Sequence, residues 1–374
     1  MAIEFLDELV FGVREAAWPA IRADLGLSYS AIGVALTVPI LVSGVLEPLV
    51  GVLGDSGKRR VLVVAGGVAF AGALVLVGYA HSFGALLLGF MIFYPASGAF
   101  VSLSQATLMD RDPDQRERNM ARWVVAGSVG VVVGPLVVAA AITLGWGWRP
   151  VFLALAVGTI PLVLGARSSH GHQPGTGTFR QAAGAAWTAL RNREVIRWLM
   201  VLELSDLVGD VLTGFLALYF VDVVRVTAAH AALAVVVWTL AGLAGDVTLV
   251  RLVARISGVA YLRAAAATAT VVFPALLLAP GLPLKLALLA ILGVVSSGWY
   301  AISQGRLYGE LPGSSGAALA LSNVSAVVAA GFPLLVGVLA ERHGLGSAIW
   351  GCALAPPAIL VALHRVPRPS SPVL

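Results

Sequence analysis

The chain has 374 residues, of which 59% are hydrophobic and only 11% charged. A soluble domain is nearer a quarter charged, so this chain cannot cover itself with a solvated surface and its surroundings must be largely lipid. The formal net charge of +5 raises the question of a nucleic-acid partner, and the single cysteine, Cys352, rules out an intrachain disulfide.

A membrane-crossing helix needs roughly 20 mostly apolar residues. In chain order the apolar runs predict twelve such spans, at 3–22, 30–53, 61–80, 84–107, 120–143, 149–167, 198–220, 229–250, 260–280, 284–304, 317–340 and 346–365. The opening stretch MAIEFLDELVFGVREAAW has no basic residue ahead of its apolar run and carries acids within it. It therefore reads as a retained span, not a cleaved signal. Connections are short except over 168–196, a Gly/Ser/His-rich linker that turns basic. There RQAAGAAWTALRNREVIRW has the pattern of an amphipathic helix lying on the membrane surface. The expected organisation is a six-helix bundle over 1–167, a cytoplasmic linker over 168–196 and a second six-helix bundle over 197–374, an all-α membrane protein.

Eighteen of the 24 Lys and Arg fall on the side of the membrane that holds the N-terminus. Only Arg22, Arg149, Arg225, Lys285 and Arg342 fall on the other side, and Arg14 lies inside the first span. That bias predicts a multi-pass protein of a bacterial plasma membrane with both termini cytoplasmic, and it accounts for the basic charge without any nucleic acid. Trp18, Trp123, Trp146, Trp148 and Trp198 lie near span ends and read as interfacial anchors.

The two bundles are copies. A shift of 199 residues puts Glu4 on Glu203, Asp7 on Asp206, Glu47 on Asp246, and Ser104-Gln105 on Ser303-Gln304. A shift of 198 puts Pro135 on Pro333. Two parallel six-helix repeats are one of the architectures of secondary transporters, with the substrate between the halves near mid-membrane.

Between the second and third spans lies GVLGDSGKRR, in which Gly51, Asp55, Gly57, Lys58 and Arg59 follow the order of the loop signature G-x-x-x-D-R-x-G-R-K/R. With this loop and the doubled six-helix pattern the chain resembles the major facilitator superfamily over essentially its whole length. The loop departs from the signature by lacking the Arg after Asp55 and by being one residue short before Gly57. The resemblance implies a cytoplasmic gate formed by this loop. The fifth span, AGSVGVVVGPLVV, resembles the Gly-x-x-x-Gly-Pro motif of drug:proton antiporters through Gly130, Gly134 and Pro135, although Val138-Ala139 stands where a glycine pair usually follows. The resemblance further implies a transporter, not an enzyme, acting as a monomer on a small molecule without a cofactor.

Carboxylates inside spans need an account, because one at mid-membrane costs on the order of 2.5–3.5 kcal/mol even on lenient scales. Glu4, Asp7 and Glu8 share one helical face, and so do Glu203, Asp206 and Asp210. Asp7 and Glu47 are expected roughly 10 Å in from the cytoplasmic face, at 1.5 Å of rise per residue, and the repeat places Asp206 and Asp246 at similar depth. Three roles are open. The acids could exchange protons, ionising when wet and protonating when occluded. They could hold a divalent cation, Asp7 and Asp206 being the candidates; ferroportin, a member of the same superfamily, resembles this chain in carrying an Asp early in its first span. They could be gate residues paired with Arg122, Arg197 or Arg251. Arg14 reads as paired with an acid such as Asp7 or Glu15, or as a seat for a substrate anion. Tyr94 and Gln105 in the fourth span, with Tyr300 and Gln304 in the tenth, are candidate cavity-lining groups. The expected function is proton-coupled efflux of a small cationic or zwitterionic organic molecule by alternating access; the alternative is ferroportin-like transport of a divalent metal.

Overall fold

The computed structural model describes residues 1–53, 58–111, 116–166, 191–252, 255–310, 321, 325–327 and 329–364, and these are helical with short connections. The first bundle runs α1 (Ala2–Leu25), α2 (Tyr29–Leu53), α3 (Arg59–Gly78), α4 (Phe83–Ser97), a π-helical turn at Gly98–Ser102, α5 (Leu103–Arg111), α6 (Arg116–Thr143) and α7 (Arg149–Ala166). The second runs α8 (Arg193–Asp206), a π-helical turn at Leu207–Val211, α9 (Leu212–Asp222), α10 (Ala228–Leu252), α11 (Gly258–Leu278), α12 (Leu282–Ser296), α13 (Trp299–Gly309), α14 (Gly331–His343), α15 (Leu345–Cys352) and α16 (Ala355–Leu363).

Among the described residues eleven helical segments are long and apolar enough to cross a membrane, and each overlaps one of the twelve expected spans. The twelfth is α1, whose 24 residues would reach roughly 36 Å at 1.5 Å per residue, ample for a bilayer core. It is set apart only by its charges. Asp55, Gly57 and most of the 168–196 linker lie outside the described residues. Lys58 is exposed, and Arg59 is buried at the start of α3.

Among the described residues the fourth, seventh, tenth and twelfth spans are interrupted, the twelfth between α15 and α16 at Ala353-Leu354. The fourth and seventh pass through the π-helical turns at Gly98–Ser102 and Leu207–Val211. The tenth breaks between α12 and α13 at Ser297-Gly298, where Gly298 takes φ 70°, a conformation that side chains with a Cβ resist. The 199-residue shift carries Gly98 onto Ser297, so the fourth and tenth spans yield at equivalent places.

The halves meet where α1 faces α9, α2 faces α14 and α6 faces α10. At α2–α14 the approach is backbone-close: a Cβ on Gly33 would lie 2.7 Å from the Pro333 carbonyl oxygen. At the end of the bundle away from the N-terminus the halves are tied by polar groups. Arg22 donates to Asp222 at 3.1 Å, the Tyr29 hydroxyl donates to the same carboxylate at 2.8 Å, and the Tyr29 N–H donates to Glu341 at 2.9 Å. The Arg22 guanidinium also lies 4.3 Å from the Tyr29 ring centroid.

Within the first half, α1 is seated on α6 by glycines. A Cβ on Gly134 would come 2.6 Å from the Val13 nitrogen, one on Gly12 would come 2.6 Å from the Val131 carbonyl oxygen, and one on Gly130 would strike the Phe5 carbonyl oxygen. Small residues at helical spacing let two backbones touch where lipid offers no hydrophobic drive. Gly130 and Gly134, which resemble part of an antiporter motif, are thus the floor on which the charged first helix rests. The tryptophans differ from expectation: Trp18, Trp123, Trp148 and Trp198 are buried in the protein, and of the five only Trp146 is exposed, at 66%. Trp148 is drawn inward by an indole N–H bond to Asp24 of 3.2 Å.

Gly134→Leu should destabilise the folded protein by about 1–3 kcal/mol through overpacking, read as a lower Tm in detergent. Gly72→Ala, with nothing within 4 Å of the added carbon, should leave Tm unchanged.

Candidate functional site

A cavity of about 490 Å³ lies between the two bundles. Its acidic wall comes from α1, through Glu8 and Glu15, and from the seventh span, through Glu203, Asp206 and Asp210. Among the described lining residues Arg14 is the one basic side chain. Phe11, Tyr94 and Phe332 supply aromatic faces, Thr213 and Thr239 hydroxyls, and Leu36, Ile40, Val131 and Val235 an apolar flank. Such a mixture, mostly apolar with a few convergent charges, is what an orienting small-molecule site requires.

Arg14 is held within its own half. Its guanidinium donates through Nε at 3.1 Å and through Nη2 to Glu15 Oε1, and through Nη1 to the Tyr94 hydroxyl. It also lies over the Phe11 ring at 4.9 Å and the Tyr94 ring at 5.5 Å. Both contacts to Glu15 fall on one oxygen; Oε2 is buried with no hydrogen-bond partner among the described residues. Glu15 is the lining residue that sequence reasoning treated only as a partner for Arg14. The signal was its place seven residues beyond Glu8, on the same helical stripe.

The seventh-span acids are placed by the interruption in that span. Glu203 and Asp206 end α8, and Asp210 sits in the π-helical turn, a local rewinding frequent at functional sites. Asp210 is enclosed by the bundle yet its atoms are accessible, because it faces the void. The Glu203 carboxylate oxygens are buried, with the Ser325 hydroxyl beside them.

The repeat has diverged in its pairing. Asp7 is 6% exposed, accepts a 2.8 Å bond from Ser97 and does not line the cavity. Its counterpart Asp206 does line the cavity. Ser296, which the same shift sets opposite Ser97, donates instead to the Leu292 carbonyl at 2.8 Å. Equal residues at equal positions are bonded away in one half and presented to the cavity in the other.

The acids of the second and eighth spans also turn aside. Glu47 accepts from Ser43 at 2.5 Å and packs against Gly98, where a Cβ would lie 2.8 Å from its Cγ. Asp246 faces the N–H of Gly298 at the break in the tenth span. Both thus sit beside the interrupted backbone of the neighbouring span, and neither reaches the cavity. Glu4 lies against Gly127 and Trp123. Of the expected polar pairs Tyr94 lines the cavity, but Gln105, Tyr300 and Gln304 do not. The Gln105 amide contacts the Met120 sulfur at 3.6 Å, and Tyr300 is 54% exposed. Arg197, an expected gate partner, is bonded to Glu194 at 2.5 Å. Among the described residues no three His, Cys, Asp or Glu side chains come together as metal ligands, and Asp7 and Asp206 do not share a site.

Comparison with known proteins agrees with this architecture. The family described as Major Facilitator Superfamily matches residues 3–332. A probable actinorhodin transporter of Streptomyces coelicolor is 31% identical over 172 residues, 44% of this chain, and the matched stretch spans 29% of that protein's length. The crystal structure of the nucleoside transporter NupG superposes with TM-score 0.77 at 14% identity, covering 97% of this chain and 96% of that one. That of a bacterial homologue of the human lysosomal transporter Spinster, inward-facing and occupied, superposes with TM-score 0.73 at 16% identity, covering 97% and 92%. At these identities the solved structures show the shared fold alone.

Breaking a buried ion pair from one side costs about 3–5 kcal/mol, whereas replacing both partners with apolar groups is often neutral. Arg14→Met should therefore lower Tm sharply, and Arg14→Met with Glu15→Leu should recover most of the loss. A double variant as unstable as the single one would show that the pair does not carry the effect.

Proposed function

The chain belongs to the Major Facilitator Superfamily, a multi-pass membrane transporter and not an enzyme, and on that premise we propose that it exports a small cationic or zwitterionic organic molecule in exchange for protons. It would work as a monomer in a bacterial plasma membrane, with both termini cytoplasmic. One observation carries the reading: five acidic residues from two equivalent spans line one cavity, and the one cation among its described lining residues is already bonded to one of them. The likeness of Gly130, Gly134 and Pro135 to the drug:proton antiporter motif supports export, and the match to a probable actinorhodin transporter supports an organic cargo.

In this reading the excess of acids draws a cation into a mostly apolar chamber, where low dielectric strengthens the attraction. A proton arriving at the same carboxylates neutralises them, and the cation loses its counter-charge and departs. Asp206 takes the proton in preference to Asp7, because Asp206 faces the cavity and Asp7 is tied to Ser97 away from it. The cluster of Arg22, Tyr29, Asp222 and Glu341 closes the outer end. It must open once per cycle for cargo to leave.

In proteoliposomes with an imposed pH gradient, Asp206→Asn should abolish cargo-driven proton movement while Asp7→Asn retains it. Coupling that survives in Asp206→Asn would sink this assignment. The outer closure gives a separate expectation. Asp222→Asn removes the charge shared by Arg22 and Tyr29, so a cysteine placed at Leu36 in the cavity wall should react faster with a membrane-impermeant maleimide from outside. The native Cys352 is buried, so background labelling is low.

A further inference from the structure

We propose that the cationic group of the cargo is seated between Glu15 Oε2 and the Asp210 carboxylate, bridging the first and seventh spans; this rests on the reading of a cationic cargo above. A guanidinium commonly engages a carboxylate with two parallel bonds, one to each oxygen. Here Arg14 spends Nε and Nη2 on Oε1 alone and turns Nη1 to Tyr94. That arrangement leaves Oε2 as an acceptor without a donor, on a side chain that is 90% buried and part of the cavity wall. An unmet acceptor on a buried carboxylate is costly, and Glu15 is one of the residues lining the cavity from which a donor can come.

The opposite wall completes the seat. Oε2 lies 3.5 Å from where a Cβ on Gly214 would stand, so Glu15 reaches across the boundary between halves to the backbone of the seventh span. Asp210 is one turn before Gly214 on that span, accessible to the cavity and within electrostatic reach of both Glu15 and Arg14. Glu15 and Asp210 together outweigh Arg14 by one negative charge. That is the complement of a single ammonium, which could donate one N–H to each half. Phe332 adds an aromatic face to the same cavity. A primary or secondary amine fits this seat better than a quaternary cation, which carries no N–H for Oε2.

The test is equilibrium binding of fluorescent 1-naphthylmethylammonium to the purified full-length protein, with neutral 1-naphthylmethanol and the quaternary N,N,N-trimethyl analogue alongside. The wild type should bind the primary ammonium most tightly. Glu15→Gln and Asp210→Asn should each weaken it about tenfold or more, and alcohol binding, which also reports a folded cavity, should not change. Asp210→Asn leaves the Arg14–Glu15 pair whole, so it tests the seat even if Glu15→Gln fails to fold. Equal binding of ammonium and alcohol by the wild type would overturn the cationic reading and the seat with it. An ammonium preference that survives in Asp210→Asn would overturn the seat alone, even if Glu15→Gln loses it, because the loss would then come from the unpaired Arg14.

Discussion

The backbone contact between α1 and α6 is the constraint on which the site depends. A helix carrying Glu4, Asp7, Glu8, Arg14 and Glu15 has no reason to stay in a bilayer unless protein surrounds it. Gly12, Gly130 and Gly134 bring the two helices close enough that side chains would collide. Packing of that kind replaces the missing hydrophobic drive between helices in lipid. With one side of α1 sealed against α6, Glu8, Arg14 and Glu15 are left lining the space between the bundles.

Charge is then distributed by pairing. Arg14 is neutralised by Glu15 and positioned by Tyr94, so among the described residues the cavity lining is not a balanced mixture of signs but acidic, with one cation already paired. Acids that do not face it are turned to other tasks: Asp7 to Ser97, Glu47 to Ser43 and Gly98, Asp246 to the backbone at Gly298. The last two stand at the points where the fourth and tenth spans break. Equivalent positions therefore stand beside the interrupted helix in each half, whereas the equivalent residues Asp7 and Asp206 differ, one bonded away and one lining the cavity.

The ends of the bundle follow from the same duplication. Arg22 and Asp222 stand 200 residues apart, at nearly equivalent places in the two halves, and carry opposite charge. A two-fold related pair of ends meets at its axis, so opposite signs there attract where like signs would repel. Tyr29 lines the contact with its ring and donates from its hydroxyl and its N–H, which makes the closure a small network in place of a single exposed ion pair. Isolated exposed pairs contribute little; a shared carboxylate at a helix interface contributes more and can still be released.

Sequence alone determined the spans, the duplication and the acids that had to be accounted for, because a bilayer imposes length and apolarity on each helix separately and leaves charges conspicuous. Resemblance to an antiporter motif also singled out Gly130 and Gly134. Only the tertiary structure decided which acids share a cavity. Glu47 and Asp246 turn to neighbouring backbone, Asp7 differs from Asp206 through the choice made by one serine, and Arg14 bonds to only one oxygen of Glu15. Depth and face are properties of one helix and can be read along a chain. Which side chain a carboxylate meets is a property of two helices, and it is set by packing that no single segment encodes.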